Sequence, residues 1–448
     1  MSDFCAIYPE GDILLPDENP ALAEDESHAV AGKPSLVVFP RNHQQVVDTV
    51  ILANREGYAL VPSGGRSGLS GGACAGNGEI VVSFSRMNRI VEMDAVNGLV
   101  TVEPGVTLSA LQQHVAAHGW FFPVDFASRD SAQIGGAVAT NAGGIRVLRY
   151  GMMRQWVAGC CAVTGAGETL DINRDLIKDN GGYSLKDLLV GSEGTLAIFT
   201  RITLRLTRPM PAQRTLLAGV DSVNELLALY SACRSAVPLS AAEFFCSSSQ
   251  LAVESVYGVH SPLASKHSFY LLVEHDAGCD GEEALAAVLL QHDVVMAHTL
   301  QQSAQLWRMR ELISSALNRQ KPFKGDIACK LTVMDDLRSE LGERLRALHP
   351  GLGLAWFGHI GDGNLHLNIL KPEEMAEDAF LGMYEEFRAA LFDVIRHYQG
   401  AACSEHGVGI LKKALLPGCR SPGEMSLYRQ IRRLFDPGQV LNPGKLLE

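Results

Sequence analysis

Pro62-Ser63-Gly64-Gly65-Arg66-Ser67-Gly68-Leu69-Ser70-Gly71-Gly72 is the stretch whose reading decides the fold. It follows a strand-like run, Tyr58–Pro62. Glycine lets the backbone turn sharply and brings successive N–H groups close to a ligand, so the stretch suits a pyrophosphate. It is neither the G-x-G-x-x-G turn of a βαβ dinucleotide unit nor a Walker loop ending in G-K-[ST], so the usual nicotinamide and ATP readings do not apply. Taken alone, a Gly/Ser cluster fits a surface turn as well. Two further segments change the balance. Ile134-Gly135-Gly136-Ala137-Val138-Ala139-Thr140-Asn141-Ala142-Gly143-Gly144 is dominated by small residues, as if something large packed against its backbone. Gly191-Ser192-Glu193-Gly194-Thr195-Leu196 stands just before a strand. Three such segments in one lobe are hard to explain as independent turns.

Around these segments, Ser35–Phe39, Ile80–Phe84, Ile90–Asp94, Leu99–Val102 and Arg201–Leu206 read as strands, and Asn42–Glu56 and Leu108–His118 as helices. The mixture predicts an α+β lobe. Two prolines in Arg208–Gln213 mark a boundary. Beyond it, helices (Val223–Ser235, Glu282–Gln291) alternate with strands (Phe269–Glu274, Val294–His298), which suits a separate α/β lobe. The expected divisions are 1–33, 34–208, 209–400 and 401–448.

Bulk properties exclude several classes. At 448 residues the chain exceeds one ordinary core. A net charge of −12 argues against nucleic acid or an anionic membrane as the main partner. The ten cysteines include no C-x-x-C pair, so clustered iron–sulfur ligands and a secreted disulfide framework are not expected. There is no basic start followed by an apolar run, and no apolar run reaches the ~18 residues of a spanning helix. The expected location is the cytoplasm.

The sharpest chemical motif is Trp356-Phe357-Gly358-His359-Ile360-Gly361-Asp362-Gly363-Asn364-Leu365-His366-Leu367-Asn368, which reads as strand, tight turn, strand. His359 and His366 flank the turn and could face one point. A third ligand is available in Glu405, within Ser404-Glu405-His406-Gly407-Val408-Gly409. A His₂Glu set with an open position is a catalytic type of metal site. The plainer alternative is two core histidines bonded to backbone. His406 is the expected general base. Leu306–Ser314 reads as a helix that puts Arg310 and Ser314, four apart, on one face, with Lys324 following; these groups could grip a carboxylate, or simply form a solvated face.

The order of these glycine segments resembles the FAD domain of the vanillyl-alcohol oxidase and p-cresol methylhydroxylase (PCMH) superfamily. The C-terminal half resembles its D-2-hydroxyglutarate and D-lactate dehydrogenase branch. The resemblance spans about Pro34 to Lys445 and implies a two-part PCMH-type FAD-binding domain, an α/β substrate (cap) domain, and a C-terminal segment returning to the FAD domain. It further implies that Ser63–Leu69 (with Pro62, Gly64, Gly65, Arg66, Ser67 and Gly68) wraps the pyrophosphate. Ser131, Gly135, Gly136, Thr140, Gly143 and Gly144 would line the flavin ring and ribityl chain, and Ser192, Glu193, Gly194, Thr195 and Asn442 would touch other parts of FAD. Some relatives attach flavin through a histidine in the first loop; Arg66-Ser67 stands here, so non-covalent FAD is expected. His359, His366 and Glu405 would bind a divalent metal, expected to be zinc. Arg310, Ser314 and Lys324 would grip a distal carboxylate, and Asn368 would orient the C1 carboxylate. Ser314 replaces a frequent threonine.

The expected activity is oxidation of a D-2-hydroxy acid by hydride transfer to flavin N5, with D-2-hydroxyglutarate favoured over D-lactate or glycolate. Electrons would go to an external acceptor, namely an electron-transfer flavoprotein, a quinone or a cytochrome. A homodimer is compatible with the sequence. A reading from another class, a non-catalytic FAD subunit of an electron-transfer complex, is countered by the joint presence of the four metal and base residues.

Overall fold

The computed structural model describes residues 3–15, 18–28, 30–172, 176 and 178–447. The chain divides into two units. One comprises Met1–Gly144, Gly151–Pro209 and Glu405–Glu448; the other comprises Ile145–Tyr150 and Met210–Ser404.

In the first unit, β1 (Ile13–Leu14), β2 (Leu36–Val38), β3 (Leu60–Ser63) and β4 (Ile80–Ser83) form a sheet ordered β1-β2-β4-β3. β2, β4 and β3 run parallel, which requires a crossover, and the helix His43–Glu56 supplies it between β2 and β3. Asn42 starts that helix by accepting the Gln45 N–H at 3.0 Å, and Gly57 ends it at φ 74°. Val46, Val50 and Ala53 bury its inner stripe against Leu60, Val82, Val163 and Ile198. The second sheet joins β5 (Ile90–Asp94), β6 (Leu99–Val102), β7 (Val157–Thr164), β8 (Thr169–Asp171) and β9 (Ala197–Arg205) in the antiparallel order β5-β6-β9-β7-β8. Leu108, Leu111 and Val115 of the helix Leu108–Ala117 pack into its core. The C-terminal stretch belongs to this unit, and Leu441 bridges Leu60 in parallel.

The second unit holds a seven-stranded antiparallel sheet. Its strands are β10 (Gln213–Val220), β11 (Leu239–Cys246), β12 (Phe269–Asp276), β13 (Asp293–Met296), β14 (Phe323–Ala328), β15 (Gly353–His359) and β16 (Asn364–Leu370), ordered β13-β10-β12-β11-β15-β16-β14. Helices cover both faces, so β11 is buried along its whole length instead of alternating. On one face Val253, Trp307, Met309, Ile313 and Leu317 pack on Phe245, Tyr270, Leu272 and Phe357. On the other lie Val223–Ala236, Met334–Leu348 and Tyr384–His397. The excursion Ile145–Tyr150 is fixed to the sheet by Arg146–Glu274 (2.6 Å) and Arg149–Asp276 (2.5 Å) ion pairs. Among the described residues no helix is long and apolar enough to cross a membrane.

Candidate active site

The glycine segments meet within the first unit. β3 carries Pro62 and ends at Ser63, and the chain then turns against residues 131–136. A Cβ on Gly65 would stand 1.8 Å from the Ser131 carbonyl oxygen, so only glycine fits there. A Cβ on Gly64 would meet Gln133 at 3.6 Å. Arg66 is held in the left-handed region at φ 57°, a strained conformation for a residue with a Cβ. Ser67, Gly68 and Leu69 continue the loop.

The second segment differs from a plain loop. Ile134–Ala139 forms a short helix, which its small residues had masked in the sequence. Gly135 presses on Pro104, where a Cβ would sit 2.6 Å from the proline Cβ, whereas a Cβ on Gly136 would meet nothing within 4 Å. Thr140 closes the helix by donating its hydroxyl to the Gly136 carbonyl at 3.0 Å. Gly143 and Gly144 follow outside any helix or strand, Gly144 at φ 146°.

The third segment is a tight turn, with Gly191, Glu193 and Gly194 all at positive φ. The Thr195 hydroxyl donates to Ser192 O at 2.7 Å. The Glu193 N–H donates to Ala139 O at 2.8 Å, tying this turn to the helix above. The Glu193 carboxylate accepts the backbone N–H groups of Val408 and Gly409, both at 2.7 Å. Burial pushes its pKa up, and the two N–H donors pull it back. Asn442 donates to the carbonyls of Gly72 (3.0 Å) and Glu193 (2.8 Å). Thus all three glycine segments, residues 408–409 and Asn442 are joined in one unit.

Four buried polar atoms here have no hydrogen-bond partner: Ser63 Oγ, Gln133 Oε1, Ser192 Oγ and Asn442 Oδ1. Buried polar groups are normally satisfied, so orphans lining loops of small residues fit a polar ligand such as FAD. Ser131 is exposed at the edge of this region.

In the second unit the chemistry lies on one face of the sheet. Side chains alternate along a strand, and the register pairs His359 with Asn364, Phe357 with His366, and His366 with Asp326. His359, His366, Asp326 and Asn364 therefore share a face, as do Asn368 and Lys324, which are paired one rung further. The two imidazole rings lie 5.5 Å apart, nearly perpendicular, and can each present a nitrogen within 4.8 Å of the other's. Both rings have a carboxylate behind them. Glu243 on β11 accepts from His359 Nδ1 at 2.6 Å, and Asp326 lies 3.9 Å from His366 Nδ1. Asp326 also accepts from Asn364 Nδ2 at 3.0 Å and from the Ser404 hydroxyl. Ser404 is peptide-bonded to Glu405, and His406 follows with Nε2 3.8 Å from the Glu405 carboxylate. Two imidazoles, one hydrogen-bonded through Nδ1 to a buried carboxylate and the other with a carboxylate nearby, are a donor set suited to a divalent metal.

Arg310 is buried. Its Nε lies 2.7 Å from Glu243 Oε2, and its guanidinium stacks 4.8 Å from the Phe357 ring centre. Lys324 is exposed, yet partial loss of solvent lowers its pKa. Asn368 is buried beside it. Ser314 departs from expectation. The helix Leu300–Glu311 ends before it, because Leu312 relaxes to ψ −9°, and a second helix, Ile313–Asn318, begins. Ser314 is solvent-exposed and does not share a continuous helical face with Arg310.

Sequence reasoning missed Glu243, a charged residue inside the apolar run Leu239–Cys246. That anomaly was the available signal, since a buried carboxylate needs partners.

Residues 34–173 match the model of an FAD binding domain, and 210–446 match that of the C-terminal domain of FAD linked oxidases. The chain is 41% identical over 425 residues to a D-2-hydroxyglutarate dehydrogenase of Xanthomonas citri pv. viticola, covering 93% of this chain and 89% of that one. It is 40% identical to one from Stutzerimonas stutzeri, covering 95% and 94%. The solved structure of p-cresol methylhydroxylase with substrate bound shares the fold at a TM-score of 0.78 and 14% identity, covering 99% and 95%. A glycine-lined cofactor unit followed by an antiparallel cap defines a flavoprotein oxidoreductase of the PCMH type. The chain belongs to the family of FAD-linked oxidases.

Proposed function

We propose that this enzyme oxidises a D-2-hydroxy acid to the 2-oxo acid, with D-2-hydroxyglutarate the favoured substrate. The observation that carries the reading is the polar row on one sheet face, where paired imidazoles, Asn368 and Lys324 stand on adjacent strands beside Arg310. The names of the two bacterial relatives point the same way.

His359, His366 and Glu405 would hold the metal, and the residues of the three glycine segments with Asn442 would hold FAD non-covalently. When bound, the metal, expected to be zinc, supplies Lewis acidity that lowers the pKa of the substrate hydroxyl, and FAD supplies the hydride acceptor at N5. Asn368 orients the C1 carboxylate. Arg310 and Lys324 attract the distal carboxylate, Arg310 through Nη groups that make no hydrogen bond among the described residues. His406 takes the hydroxyl proton on a ring nitrogen. An electron-transfer flavoprotein, a quinone or a cytochrome would then reoxidise the enzyme.

A second reading, D-lactate or glycolate, is favoured by the break at Leu312, which takes Ser314 off the continuous helical face that carries Arg310. Steady-state kcat/KM on D-2-hydroxyglutarate and D-lactate separates the two. Arg310→Ala and Lys324→Ala should each depress dicarboxylate turnover selectively; unchanged dicarboxylate turnover in both variants refutes the assignment. His406→Ala should slow anaerobic flavin reduction by about 100-fold or more with FAD retained, the scale of general-base catalysis.

A further inference from the structure

Glu243 is 1% exposed and lies at the centre of β11, with Ala242 and Phe244 on either side. One of its oxygens, Oε1, faces His359 Nδ1 at 2.6 Å; the other, Oε2, faces Arg310 Nε at 2.7 Å. The pairing of β11 with β15 puts Phe245 opposite Phe357, so two residues along each strand Glu243 falls opposite His359. A carboxylate only accepts hydrogen bonds. The hydrogen must therefore sit on His359 Nδ1, which fixes the tautomer and leaves the Nε2 lone pair for a ligand.

We infer that Glu243 is a positioning residue that sets the tautomer and orientation of His359 and, through its second oxygen, holds Arg310 in place. One buried carboxylate would thus join the metal-binding imidazole to the dicarboxylate grip. The arrangement follows from burial. A lone carboxylate there would be costly; the ring N–H donates to one oxygen and the guanidinium charge offsets the other, which makes no hydrogen bond of its own. Conversely, an imidazole with a carboxylate behind it is a better donor and cannot rotate freely. The inference rests on the metal-binding reading proposed above.

The test uses the FAD-loaded full-length protein, stripped of metal and titrated with Zn²⁺ against a chelating indicator. Glu243→Gln keeps the size of the side chain but loses its charge, and should weaken Zn²⁺ binding about 10–100-fold with FAD content unchanged. Glu243→Asp, which keeps the charge on a shorter arm, should recover part of the loss, and it answers the question if the glutamine variant does not fold. KM for D-2-hydroxyglutarate should rise more than KM for D-lactate, because Arg310 leans on the same carboxylate. If the parent protein binds no Zn²⁺, the metal reading itself fails. If the parent binds Zn²⁺ and Glu243→Gln binds it equally tightly, the metal reading stands and the positioning role of Glu243 is overturned.

Discussion

Gly136→Ala separates a cofactor cradle from a mere loop. Gly136 lies in the helix Ile134–Ala139, and a Cβ built there meets no protein atom within 4 Å. In the apoprotein the methyl group therefore has room. Replacing a helical glycine by alanine should then stabilise the fold by about 0.5–1 kcal/mol, because less backbone entropy is lost. That gain corresponds to a Tm rise of about 1–4 °C for a unit of this size. If the open space above Gly136 is where the flavin packs, the same methyl group overpacks the holoenzyme by about 1–3 kcal/mol. At about 1.4 kcal/mol per tenfold, FAD affinity should fall roughly 5–150-fold. Differential scanning fluorimetry of the apoprotein reads the first quantity, and titration of FAD fluorescence reads the second. An apoprotein that is stabilised while its FAD Kd is unchanged would show that the flavin does not lie against this helix. Gly135→Ala is the contrasting control. Its Cβ would strike Pro104 at 2.6 Å, so the apoprotein itself should lose stability.

Glu193→Gln should loosen the stretch around Val408 and Gly409, because the amide presents N–H where the backbone already donates; faster hydrogen exchange at those two residues, at an expected cost of about 1–3 kcal/mol, is the readout. The Arg149 hydrogen bond to Asp276 holds that carboxyl below its ordinary value of 3.8. A lowered folded-state pKa means the pair's stabilisation is present above about pH 4 and fades as pH falls below it. Arg149→Met should therefore reduce stability at neutral pH and flatten its decline below pH 4, measured by urea unfolding across that range.

Much of the fold was legible in the sequence because local signals agreed with tertiary packing. Asn42 and Gly57 bracket a helix whose apolar stripe is plain, and Ile90–Asp94 and Leu99–Val102 form strands with the bounds their pattern suggested. The hairpin around Gly361–Gly363 was equally clear, since Gly363 adopts φ 77° in a turn where a Cβ would strike the Cys329 carbonyl. The helix Ile134–Ala139 was hidden by its glycines, which are poor helix formers and are explained here by close packing on Pro104 and by the open space over Gly136. The break at Leu312 was invisible because leucine is a good helix former and no cap residue marks it. Glu243 escaped notice for a different reason. Its charge inside an apolar strand marked it as unusual, but its partner was not legible, because it reaches His359 only through the pairing of β11 with β15, across more than a hundred residues of chain.

The central claim is that the histidine pair on the hairpin binds a metal that the reaction requires. The direct measurement is stopped-flow reduction of the flavin by D-2-hydroxyglutarate under anaerobic conditions, made on one preparation as isolated, after chelator treatment, and after Zn²⁺ is restored, with metal content determined at each stage. The account predicts close to one metal per chain, rapid bleaching, loss of bleaching with the metal, and recovery on its return. Full-rate bleaching of metal-free protein that still holds its FAD would contradict it.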